Sequence, residues 1–95
     1  MIEHTTPAGS NVFADLGLED AENLRLRAEL MAEVRRYVVD SGLSQRAAAQ
    51  AMKTTETRLS EVLNGRIEKC TIDRLVNMLA QVGRFVRIAV ETKAA

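Results

Sequence analysis

Aromatic side chains make up only 3% of the 95 residues, and tryptophan is absent. Any core must therefore be aliphatic, drawn from the Leu, Val, Ile, Ala and Met that dominate the 46% hydrophobic fraction, a mix that favours helices. Cysteine occurs once, at Cys70, which excludes an internal disulfide framework and leaves no CxxC or Cys/His ligand cluster. No apolar run approaches the roughly 20 residues that span a bilayer, and the N-terminus lacks a charged start followed by an apolar stretch. A soluble, unexported, cytoplasmic protein is expected. The chain also lacks a paired-carboxylate cleft, a phosphate loop and a nucleophile–base set, so catalysis is disfavoured and no cofactor or metal is expected. Ninety-five residues suffice for one domain with one modest core.

The formal net charge is zero, but its distribution is uneven. Residues 1–34 hold seven acids (Glu3, Asp15, Glu19, Asp20, Glu22, Glu29, Glu33) against two bases (Arg25, Arg27), whereas 35–95 hold eleven bases against six acids. The halves carry −5 and +5. Such a dipolar chain can offer one surface to a polyanion and another to a basic protein.

Along the chain, "MIEHTTPAGS" is poor in large apolar residues and is expected to be a mobile tail, residues 1–10, with His4 inside it as an ordinary surface group. Carboxylates at Glu19 and Asp20 open a long helix, where they complement the positive end of the macrodipole. Leu24, Met31, Val34 and Val38 form its apolar stripe, with Leu30 and Tyr37 beside it. Ser41-Gly42 ends it. Ser44 caps a second helix through "QRAAAQAM", whose alanines allow another helix to approach closely. After a turn at Lys53-Thr54, Thr54 or Thr55 caps a third, short helix that Asn64-Gly65 stops. A helix of about ten residues is marginal alone, so Leu59 and Val62 must pack against Ala48 and Met52. Thr55, Glu56, Thr57, Arg58, Ser60 and Glu61 are then left facing out. Two helices around a tight turn with a free polar face define helix-turn-helix geometry, suited to the major groove of DNA. A fourth helix, "TIDRLVNMLAQVG", starts at Thr71, buries Ile72, Leu75, Val76, Leu79 and Val82, and ends at Gly83; Met78 reads as a gap-filler and Cys70 as a small structural residue.

"FVRIAVET" changes the period to two, with Val86, Ile88 and Val90 on one side. As the one convincing strand in the sequence it needs a partner for its backbone groups, and a second copy of the chain is the simplest source. Residues 85–95 are therefore read as a dimerisation strand and tail, and 11–84 as the DNA-binding domain. A symmetric dimer would set two recognition helices about 34 Å apart, one turn of DNA. The competing use of the strand is addition to a different protein.

Gln45 through Gly65 resembles the helix-turn-helix of the Cro and phage-repressor (XRE) family, and "TTETRLSEVLNG" is similar to its recognition helix and terminating Asn-Gly. From "NVFADLGL" (Asn11–Leu18) through "VRIAVE" the chain resembles the XRE-type antitoxins of toxin–antitoxin pairs, especially the HigA type. The resemblance implies a mainly α, four- to five-helix lambda-repressor-like domain with a C-terminal β-strand pairing in a dimer. It implies binding to double-stranded operator DNA, autorepression of an operon, and neutralisation of a RelE/HigB-like ribonuclease toxin; a stand-alone phage-type repressor without a toxin is the alternative. Carried over residue by residue, it puts Gln45 and Arg46 at phosphates, Thr55, Glu56, Thr57, Arg58 and Ser60 at the groove, and Arg66 and Lys69 at the backbone beyond. Arg58 is the leading candidate for a guanine or a phosphate. The apolar residues Val12, Phe13, Leu16 and Leu18 fit either a toxin interface or a lid over the core. Three positions depart from the family pattern: Lys53 where Gly is common, Thr54 where Ile or Val is, and Glu56 where Gln often reads bases.

Overall fold

The computed structural model describes residues 2–7 and 19–91, with side chains described for 21–89. In chain order the elements are β1 (Ile2–Pro7), α1 (Glu19–Ser41), α2 (Gln45–Ala51), α3 (Glu56–Leu63), a 3-10 turn (Ile67–Lys69), α4 (Ile72–Gln81) and β2 (Val86–Glu91). Most of the described residues are helical, in keeping with the aliphatic composition. The segment Asn11–Leu18, with its apolar Val12, Phe13, Leu16 and Leu18, lies outside the described residues.

One cluster forms the core. α1 contributes Leu26, Leu30, Met31 and Val34; α2 and the residue after it contribute Ala48, Ala49 and Met52; α3 contributes Leu59 and Val62; α4 contributes Leu75, Met78 and Leu79, and Cys70 joins them. Leu59 and Val62 are buried alongside Ala48 and Met52, as the short helix requires. The α1 stripe is shifted from its expected position. Leu24 is exposed and Val38 only half-buried, while Leu26 and Leu30 are in the core. Leu26, Leu30 and Val34 recur every four residues and form one row along the helix, which a stripe begun at Leu24 misses.

Side-chain caps fix the helix starts. Ser44 Oγ accepts from the Ala47 amide at 3.1 Å, Thr55 Oγ1 from Arg58 at 3.1 Å, and Thr71 Oγ1 from Arg74 at 3.4 Å. The turn between α2 and α3 closes with the Lys53 amide donating to the Gln50 carbonyl and the Thr54 amide to that of Ala49. Lys53 itself sits at φ 53°, the one non-glycine residue with positive φ among the described residues. This is a left-handed conformation that glycine adopts at less cost than lysine.

β2 pairs in parallel with β1, in register from Ile2 opposite Val86 to Pro7 opposite Glu91. Two sequence expectations are corrected here. Ile2–Pro7 is a strand rather than a tail, and β2 is not a lone strand, because β1 pairs with one of its edges. The physical need was read correctly, since the backbone groups of β2 do require a partner, but the β-branched Ile2, Thr5 and Thr6 can supply it. Parallel pairing requires a long crossover, and here the whole helical body provides it. The other edge of β2 carries no strand among the described residues.

Arg84 anchors the start of β2. Its guanidinium lies 5.4 Å from the Tyr37 ring centroid, 3.6 Å from Glu33 and 3.9 Å from Asp40. Glu33 also pairs with Arg36. Val86 packs on the core, whereas Phe85 and Ile88 are 61% and 48% exposed.

Candidate nucleic-acid interface

α3 is clamped on one side by Leu59 and Val62 and open on the other. Thr55, Glu56, Thr57 and Arg58 are all exposed, and Ser60 and Glu61 are half-buried. Helical periodicity divides the polar residues between two faces. Glu56, Thr57, Ser60, Glu61 and Asn64 recur at spacings of three and four and line a groove of about 540 Å3, completed by Gln45, Arg66 and Lys69. Arg58 points away from that stripe. It lines a second groove, of about 350 Å3, with Lys53, Thr54, Thr71, Asp73, Arg74 and Asn77 among its walls.

Six of the nine residues expected at the interface (Gln45, Glu56, Thr57, Ser60, Arg66 and Lys69) therefore share one groove, and Arg58 belongs to its neighbour. Arg46 and Thr55 are exposed but line neither groove. Glu61 and Asn64 in the first groove, and Lys53 and Arg74 in the second, were not among the expected interface residues. For Glu61 and Asn64 the signal was available: they follow Thr57 and Ser60 by four residues. Lys53 and Arg74 come from outside α3 and are brought beside Arg58 only by the fold.

Hydrogen bonds hold the first groove in shape. The Gln45 side-chain amide donates to the Glu56 carbonyl at 3.4 Å, tying the start of α2 to the start of α3. Asn64 Nδ2 donates to Ser60 Oγ at 3.0 Å, one turn back along the same stripe. Gly65, at φ 72°, lets the chain leave α3 sharply, with the Arg66 amide closing back on the Glu61 carbonyl at 2.9 Å. Beyond it, Arg27 of α1 donates to the Ile67 carbonyl at 2.9 Å, and Arg74 donates to the Lys69 carbonyl at 3.2 Å. These two arginines fix the turn that carries Arg66 and Lys69.

The charge pattern across this face is mixed. The carboxylates Glu56 and Glu61 share the first groove with Arg66 and Lys69, and the second groove holds Lys53, Arg58 and Arg74 together with Asp73. Arg66 has a weak contact with Glu68, 3.8 Å between two exposed groups, which leaves it free to move to a phosphate. Cys70 is buried, its Sγ donating to the Arg66 carbonyl at 3.3 Å. Burial, with Glu61 second, pushes its thiol above the ordinary 9.0, so it is a packing group rather than a nucleophile.

For the dimerisation residues, Val86 is half-buried against the core and Ile88 is exposed; the Val90 side chain lies outside the described ones. No helix among the described residues is long and apolar enough to cross a membrane.

A capped helix pair around a tight turn, with the second helix clamped by its aliphatic side and its polar side exposed, defines a DNA-reading module. The family described as "Helix-turn-helix domain" matches residues 12–91, and the chain belongs to it. It is a helix-turn-helix DNA-binding protein. No curated protein matches the chain.

Proposed function

We propose that the protein is the antitoxin of a type II toxin–antitoxin pair, a dimeric repressor of its own operon that also neutralises a RelE/HigB-like ribonuclease. The observation that carries the repressor part is the exposure of the polar stripe of α3 while its opposite face is locked into the core. That stripe enters the major groove of operator DNA. Gln45 and Arg46 at the start of α2, Arg66 and Lys69 beyond α3, and Arg58 meet phosphates on either side.

Dimerisation uses the edge of β2 that β1 leaves unpaired, with Ile88 placed at the seam. Two copies joined there present two recognition helices to one side of a palindromic site. The toxin part is supported by the likeness of residues 11–91 to HigA-type antitoxins and by the acidic N-terminal half, which suits a basic ribonuclease.

Co-expression with the product of the adjacent gene tests both parts. Co-purification of a basic protein whose ribonuclease activity is suppressed in the complex supports the antitoxin reading. Sequence-selective binding to the operon's own upstream DNA without any captured partner would instead leave a stand-alone repressor.

A further inference from the structure

Glu61 occupies a position that ordinary helix chemistry disfavours. It lies in the last turn of α3 (Glu56–Leu63), where the negative end of the macrodipole opposes an anion, and it is half-buried. Among the described residues no ion pair joins it to a base, and the same is true of Glu56. Glu56 alone is explained as a first-turn carboxylate; Glu61 is not. Both line the groove that also carries Thr57, Ser60 and Asn64, one at each edge of that polar stripe, with Arg66 and Lys69 in the same groove.

We infer that Glu56 and Glu61 are a pair of base-reading acceptors that select cytosine in the major groove, an inference that rests on the DNA-binding reading above and names what the groove recognises. A carboxylate only accepts hydrogen bonds, and cytosine presents its amino donor to the major groove without an acceptor of its own beside it. Adenine offers an amino group next to the N7 acceptor, which repels a carboxylate, and guanine and thymine offer acceptors. Phosphate repulsion is offset by the bases nearby, Arg66 and Lys69 in the same groove and Lys53, Arg58 and Arg74, beside Asp73, in the next. Five residues of helix advance about 7.5 Å along the axis and turn the side chain by about 140°, so the two carboxylates are expected to meet cytosines of different base pairs.

Selection of bound duplexes from a randomised pool at low ionic strength tests this with the full-length protein and with Glu56→Gln and Glu61→Gln. The wild type is expected to recover half-sites with two such cytosines, and each glutamine variant to lose the preference at one of them. Each variant should bind the wild-type site about tenfold more weakly or worse, while the melting temperature rises slightly for Glu61→Gln, which relieves an anion at the negative helix end, and falls only slightly for Glu56→Gln. A wild-type site without cytosine at either position overturns the proposal, as do variants that select the same site as the wild type. Equal weakening on every sequence accompanied by a lowered melting temperature would assign the two carboxylates to stability and overturn it too. Failure of the wild type to retain any duplex is a different result, which removes the DNA-binding reading itself.

Discussion

Lys53 stands at φ 53° in the turn that aims α3, a conformation that costs a side-chain-bearing residue about 1 kcal/mol relative to glycine. Lys53→Gly is therefore expected to stabilise the fold by ~1 kcal/mol, raising the melting temperature by about 4–8 °C in a thermal denaturation. The same change should weaken duplex binding, because the ammonium lines the groove beside Arg58 and Arg74. Opposite signs in the two measurements would show that the lysine is kept at a conformational cost for its charge. Arg58, off the central stripe, is expected to behave as a phosphate contact. Arg58→Ala should weaken binding to selected and random duplexes alike and lower the slope of log K against log salt by about 1. A loss confined to the selected duplex would return Arg58 to base reading.

At the scale of elements, α3 is an eight-residue helix that persists through its cap and its two buried aliphatic anchors, Leu59 and Val62. Removing the Thr55 hydroxyl leaves the Arg58 amide without its partner, so Thr55→Ala should cost about 1 kcal/mol in a denaturant titration. Local chemistry made most of the helices legible in the sequence: Ser44, Thr55 and Thr71 cap where capping residues were expected, and Gly42, Gly65 and Gly83 follow the helices with positive φ. Periodicity was less secure where leucines crowd. Leu24, Leu26 and Leu30 admit more than one stripe, and packing against α4 chose the row through Leu26 and Leu30. The site was half legible for the same reason. Spacing along α3 defines its own stripe, but the placing of Lys53 and Arg74 beside Arg58, and the holding of the following turn by Arg27, depend on distant segments meeting.

Across the whole molecule, the pairing of β1 with β2 brings the beginning and end of the described chain together, a contact that composition could not announce because it joins segments about eighty residues apart. One edge of β2 is thereby used, the other carries no strand among the described residues, and the dimer proposed above would pair there. Light scattering should give a dimer, and Ile88→Lys, which puts a charge at an exposed position of that strand, should shift it to monomer while leaving the helical content intact. Monomeric protein at micromolar concentration would remove the two-fold arrangement and with it the palindromic site. The central claim is that the open face of α3 is the surface offered to DNA. Backbone amide NMR shifts recorded during titration with a duplex at low ionic strength address it most directly. Perturbations concentrated at Gln45–Arg46, Thr55–Asn64 and Arg66–Lys69 are expected, sparing the outer face of α1; shifts centred on α1, or none in α3, would contradict it.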